Sequence, residues 1–229
     1  MYIKNNNKSD KNFYIEGLGV DQGYANCGLA VLRFYPNKKS NNIEILKITT
    51  IKTNSSENMN KRLEKIYNFI IDIMNTYSIE AIGCEKLFVN NPMKTGNPKT
   101  DFFRTRNKSA SIVNTSFVTG IVFLISALYG INVYEFAPTS VKKKVTNNGK
   151  ATKEELAKVI NDIASSQGIE IKTDHESDAI GIGISAIKES LEIKKKPHKL
   201  EKINEQISIK KMRKSILKRT LEIKSKEEN

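Results

Sequence analysis

An α/β fold, with a mixed sheet covered by helices on both faces, is predicted by two features of the chain. The first is order: three β-like runs come before any helical pattern, and helix and strand alternate from there on. The second is periodicity, which switches between short β-branched runs and apolar residues spaced three and four apart. A change of character after Leu191 adds a basic helical C-terminal extension to this core.

The elements follow in order. Residues 1–13 are rich in Asn and Lys and too poor in apolar side chains to pack, so a disordered N-terminal segment is expected. "FYIEGLGVD" and "NCGLAVLRFY", joined by "QGYA", read as a hairpin, and "NIEILKITTIKT" as a third strand. Over residues 57–77, Leu63, Ile66, Tyr67, Ile70, Ile73, Met74 and Tyr77 share one helical face. "EAIGCEKLF" is a fourth strand, apolar on both faces and therefore interior. The run "VNNPMKTGNPKTDFFRTRNKS" reads as a long basic loop, and a helix is expected from about Ser109 to Tyr129. A strand "INVYEFAP", a helix from Thr152 to about Ser166 and a helix from Asp174 to Ser190 complete a domain spanning 14–191. The tail, 192–229, has apolar residues at a helical spacing; from Lys194 on it carries thirteen Lys and Arg against five Glu.

Composition narrows the function. A net charge of +13, from 38 Lys and Arg against 25 Asp and Glu, suits a polyanionic partner such as nucleic acid. Both cysteines, Cys27 and Cys84, lie in apolar runs and read as reduced interior residues. The N-terminal stretch lacks the apolar core of a secretory signal. "SFVTGIVFLISALYGINVYEF" is too interrupted for a membrane span, so a cytoplasmic protein with no membrane association is expected.

Carboxylates rarely fall where a strand should be apolar, yet Asp21 ends the first strand and Glu85 the fourth. If those strands are parallel neighbours, both acids reach one edge of the sheet, where open α/β sheets bind ligands. In "DHESDAIGIGIS", His175 and Asp178 are three apart and share a helical face, while the small residues that follow let the helix lie close on a sheet. Asp174 and Ser177 read as cap or first-turn residues, and Glu176 points elsewhere. Taken singly, Asp21 also reads as a turn residue, Glu85 as a surface charge and "DHESD" as an elaborate helix cap. Taken together, three acids and one imidazole suit Mg²⁺ or Mn²⁺, and two such ions can clamp both oxygens of a phosphodiester displacement. No Cys/His spacing for zinc and no phosphate-binding GxxxxGK[ST] loop occurs, so no nucleotide cofactor is expected.

In order and spacing, "GVDQGYANCGLAVL", "AIGCEKLF", "VTGIVFLISALYGINVYEFAPTSVKKKV", "GKATKEELAKVI" and "HESDAIGIGISA" resemble the RuvC Holliday junction resolvases. These are nucleases with the RNase H-like fold, built on a mixed five-stranded sheet. The resemblance implies Asp21, Glu85, His175 and Asp178 as ligands of two Mg²⁺ ions, with His175 near the attacking water. It implies Lys142 as a DNA-phosphate contact and Lys153 as the lysine beside the scissile phosphate. It also implies a homodimer, joined through the helix from Ser109, that nicks opposing strands of a four-way DNA junction symmetrically. The basic insert, with Arg104 and Arg106, would then reach the junction centre. There Phe88, Phe102 and Phe103 would wedge or stack against bases, unless Phe102 and Phe103 simply pin the insert to the domain.

The insert, the N-terminal Asn/Lys stretch and the basic tail depart from the compact form of the family. The tail is either an extra grip on DNA phosphates or a solvated helix with one apolar side. Rival functions are a looser branched-DNA or flap nuclease, an RNA-cleaving nuclease of the same fold, and a non-catalytic junction-binding protein. The last should lack one of the four ligands, and none is missing. An ATPase fold, suggested by "DQG", needs a second phosphate-binding half for which the chain has no room.

Overall fold

A computed structural model describes residues 13–87 and 98–194, with side chains throughout except at 98–111 and 194. The strands are β1 (Ile15–Asp21), β2 (Asn26–Phe34), β3 (Ile43–Lys52), β4 (Ile79–Glu85) and β5 (Asn132–Phe136). The helices are α1 (Met59–Thr76), α2 (Pro98–Tyr129), α3 (Pro138–Thr146), α4 (Lys153–Ser165) and α5 (Asp174–Lys194). The strands form one mixed sheet in the order β3-β2-β1-β4-β5. β2 is antiparallel to β1 and β3, whereas β1, β4 and β5 are parallel. This is the expected five-stranded architecture. One compact unit runs from Met1 to Glu189; a second covers Ser190–Asn229, and only the end of α5 is described within it.

Strand alternation sorts the sheet into two unlike faces. On one face Leu18, Val20, Leu29, Val31 and Ile82 meet Ile66, Ile70 and Ile73 of α1 and Val118, Val122 and Ile125 of α2. Burying one such aliphatic side chain is worth about 1.5–3 kcal/mol, so this layer carries much of the fold's stability. The other face carries glycine where the last helix crosses it. There Gly17, Gly19 and Gly83 meet α5, and a Cβ added to Gly19 would stand 1.9 Å from the carbonyl oxygen of Ala179. The helix therefore lies with its backbone almost on the sheet. Gly181, on its far side, faces Val141 and Val145 of α3 and Ile160 of α4.

Three expectations need correction. α2 begins at Pro98, so much of the expected basic loop is the start of a helix. Proline fits the first helical position because its missing N–H has no partner to lose there, and residues 98–108, polar apart from Pro98, Phe102 and Phe103, concealed the helix by lacking an apolar stripe. α3 was not expected. It starts at Pro138 in the same way and ends at Asn147 in the left-handed conformation (φ 61°). Third, of the two readings of Asp174 and Ser177 the first-turn one holds, and the side-chain cap of α5 comes from Thr173, which was not expected. Thr173 Oγ1 accepts the Glu176 amide at 3.1 Å, and the Glu176 carboxylate accepts the Lys172 amide at 2.7 Å. The helices at 57–77 and 152–166 lie within a residue or two of expectation.

Ile112–Tyr129 of α2 is long and apolar enough, by length and composition, to cross a membrane. Val118, Val122 and Ile125 on it are buried against the sheet, while Val113, Phe117, Leu124 and Leu128 are exposed.

Cys27 and Cys84 are free thiols buried in the core, as expected. Burial pushes both thiols up, Cys84 to about 12 with help from the charges of Glu135 and Glu85. Since the thiolate is the nucleophile, neither should react with iodoacetamide at pH 8 in the native protein. Both should be alkylated within minutes in denaturant, which mass spectrometry of the two samples checks.

Candidate active site

Asp21 and Glu85 are the last residues of β1 and β4. The parallel register pairs Gly19 with Gly83, so two residues further along the same face Asp21 stands level with Glu85. Both acids thus project on the face that α5 covers, each preceded by the small residues that admit the helix. The sequence signal is a period of two: Gly17, Gly19, Asp21 on β1 and Ala81, Gly83, Glu85 on β4.

The first turn of α5 is held over the same edge. Thr173 shares a 2.7 Å hydrogen bond with Thr50 of β3, and a Cβ on Gly28 of β2 would meet the His175 carbonyl at 2.1 Å. So placed, His175 Nδ1 lies 2.6 Å from Asp21 Oδ2. Asp178 follows three residues on, on the same side of the helix.

The electrostatics join these acids into one group. Burial raises Asp21, against the lowering effect of its His175 partner. Burial also raises Glu85, which the charges of Asp21 and Asp178 push further. Asp178 is raised by burial and by Asp21, with Lys153 opposing. Three carboxylates that each resist ionisation share one neighbourhood.

Facing them are two lysines. Lys153 opens α4 behind a Thr152–Glu155 capping box, and its Nζ lies 3.0 Å from Asp174 Oδ2. That bond, with the charge of Asp178, holds the ammonium above the usual lysine range. Lys142 comes from α3. Together with Glu85 and Asp178 the two lysines line a recess of about 280 Å³ whose apolar wall is Pro138, Val141, Leu156 and Ile182. An acidic edge and a basic edge across a solvent-open recess are what a metal-assisted attack on a phosphodiester requires.

The structure therefore gathers Asp21, Glu85, His175, Asp178, Lys142 and Lys153. Phe102, Phe103, Arg104 and Arg106 fall on the first turns of α2, with side chains outside the described set, and Phe88 lies outside the described residues altogether. Among the described residues no three His, Cys, Asp or Glu side chains are disposed as a ready-made ligand shell. The donor set still fits a hard divalent cation, since buried, mutually repelling carboxylate oxygens are what such an ion neutralises. Sequence reasoning missed Gln22, which follows Asp21 and is 2% exposed. A single amide directly after Asp21, in the turn between β1 and β2, was its only local signal.

The family model "Crossover junction endodeoxyribonuclease RuvC" matches residues 17–186. This chain belongs to the RuvC family. Among its RuvC relatives, the crossover junction endodeoxyribonuclease of Natranaerobius thermophilus is 28% identical over 167 residues, covering 73% of this chain and 91% of the relative. That of Neorickettsia sennetsu is 33% identical over 139 residues, covering 61% and 72%. The Thermus thermophilus RuvC structure superposes with a TM-score of 0.59 at 21% identity, over 75% of this chain and 92% of that one. The same enzyme in complex with a Holliday junction substrate gives 0.60. These structures share the RNase H-like fold of the present chain.

Proposed function

We propose that this chain is a metal-dependent endodeoxyribonuclease that resolves four-way DNA junctions by paired symmetric nicks. The reading is carried by the convergence of Asp21, Glu85, His175 and Asp178 opposite Lys142 and Lys153. Asp21, Glu85, His175 and Asp178 would hold two Mg²⁺ ions, for which Mn²⁺ would substitute as another divalent cation suited to octahedral oxygen donors. When bound, the ions supply Lewis-acid activation of the scissile phosphate. With Nδ1 engaged by Asp21, His175 has Nε2 left to face the ions or the attacking water. Lys153 stays protonated and offsets charge developing at the phosphate, and Lys142 grips a phosphate alongside it. The nuclease domain is taken as 14–191 and the basic tail, 192–229, as an additional contact to DNA phosphates. An activity on DNA junctions is taken here as a cytoplasmic one.

The test compares a synthetic four-way junction, a Y-fork and an RNA–DNA hybrid in Mg²⁺, with each strand's cuts mapped. Symmetric nicks on the junction, with the other two substrates cut at least tenfold more slowly, are expected. Preferential cutting of the fork or hybrid would reassign the substrate, and junction binding without cleavage in either cation would leave a binding module.

The homodimer is supported by α2, whose Val113, Phe117, Leu124 and Leu128 form an exposed stripe at helical spacing, with Gly120 open beside them. A second copy of the same helix is the natural cover, because a small residue between large ones lets two helices approach closely. Leu124→Glu is expected to convert the dimer to a monomer in analytical ultracentrifugation. The two nicks should then become independent, with singly nicked junctions accumulating. An unchanged sedimentation coefficient would remove α2 from the interface.

A further inference from the structure

Gln22 does something no neighbouring residue does. Its side chain is buried at 2% exposure just past the end of β1. Its Oε1 accepts the backbone N–H of Glu85 at 2.9 Å, and its Nε2 donates to the backbone carbonyl of the same residue. One side-chain amide thus satisfies both main-chain groups of a candidate ligand 63 residues away.

The reason lies in how the two strands end. The β1–β4 ladder closes at the pair Val20 and Cys84, and β1 then turns away, with the Gly23 amide bonded to the Asp21 carbonyl at 2.8 Å. The backbone of residue 22 has left the sheet, and its side chain takes the place of the next peptide unit. On the other side Glu85 pairs with Phe136 of β5, and the Lys86 amide bonds to the Phe136 carbonyl at 2.9 Å. The main chain at Glu85 and Lys86 is therefore held on both sides, at the strand end whose carboxylate feels the charge of Asp21. Like charges held together tend to part. The clamp against that separation is the residue covalently joined to Asp21.

We propose that Gln22 is a positioning residue that sets the spacing of the Asp21 and Glu85 carboxylates, and through it the affinity of the site for a divalent cation; this rests on the metal-nuclease reading above. An amide is suited to the task because it offers a donor and an acceptor in one plane, as a peptide does. A hydrocarbon of the same length would leave both main-chain groups of Glu85 without their partner.

The experiment measures Mn²⁺ binding to the full chain by calorimetry, beside junction binding in EDTA, melting temperature and cleavage, for wild type, Gln22→Met and Gln22→Asn. Gln22→Met is expected to raise the half-saturating Mn²⁺ concentration about tenfold, as loss of two buried amide–main-chain hydrogen bonds implies, with junction binding in EDTA within twofold of wild type. Gln22→Asn keeps the amide but reaches one methylene less far, and a shift of about threefold is expected of it; it also carries the test if the Met variant does not fold. Wild-type Mn²⁺ affinity in either folded variant would overturn the proposal. So would a lowered melting temperature with unchanged Mn²⁺ affinity, which would make Gln22 a purely structural residue. A wild type that binds no Mn²⁺ would sink the metal-nuclease reading itself, and this proposal with it.

Discussion

Asp178→Asn is expected to cut junction cleavage by about 10³-fold while making the metal-free protein more stable. The first half follows from chemistry, because an amide oxygen is a weaker ligand than a carboxylate and leaves the cluster one charge short. The second half follows from linkage. Asp178 is held above its ordinary value of 3.8 by burial and by Asp21, and Asp21 and Glu85 are also raised. A carboxyl whose folded value exceeds its unfolded one contributes stability below the unfolded value and loses it as pH climbs through the folded value. At pH 7 the ionised cluster therefore opposes folding, and the neutral Asn side chain removes part of that opposition. In EDTA at pH 7 the variant should melt a few degrees above wild type, with the gap narrowing as pH falls and closing only below about 3, under the unfolded value, where the carboxyl is protonated in both states. Added Mg²⁺ should raise the wild-type melting temperature more than the variant's. A variant that melts below wild type in EDTA at neutral pH would mean that Asp178 serves packing, and that repulsion is not what the cation relieves. Fluorimetric melting across pH, run beside strand-mapped cleavage, reads both halves.

Gly19→Ala should be the most damaging single methyl in the described chain. A Cβ there would stand 1.9 Å from the Ala179 carbonyl oxygen and 2.5 Å from the Gly183 amide nitrogen. Both are helix backbone, so no side-chain rotation relieves the clash, and α5 must lift as a body. Overpacking of this kind costs about 3 kcal/mol or more, which for a chain of this size is about 6–12 °C in melting temperature. The effect on activity should exceed the effect on stability. α5 carries His175 and Asp178, and lifting it draws them from Asp21 and Glu85; cleavage should fall at least 100-fold even at temperatures where the variant is fully folded, as displacement of about 1 Å does in positioned sites. Gly120→Ala on α2, where nothing lies within 4 Å of the added methyl, is the matched control for stability of the monomer fold. Circular dichroism melts with cleavage assayed well below the transition separate the two effects. A Gly19→Ala protein that melts and cuts like wild type would show that α5 does not lie where the structure puts it.

Much of this site could be read without coordinates. The strand-end positions of Asp21 and Glu85, the three-residue spacing of His175 and Asp178 and the small residues after them are local patterns. Their meaning depends only on the periods of strand and helix. The order of elements likewise determined a mixed sheet, because three strands followed by helix–strand alternation leave few ways to connect them. The starts of α2 and α3 were not legible, since a prolines-first, polar first turn carries no apolar period to detect. Nor was the bond between His175 and Asp21, whose partners are 154 residues apart, or that between Gln22 and Glu85. Which side chains meet across such distances depends on the register of β1 against β4 and on how closely α5 settles on the glycines beneath it. Local sequence determined the parts and the faces they present. Tertiary packing alone decided which carboxylates came to share one patch of low-dielectric space, and that sharing makes them a candidate metal site.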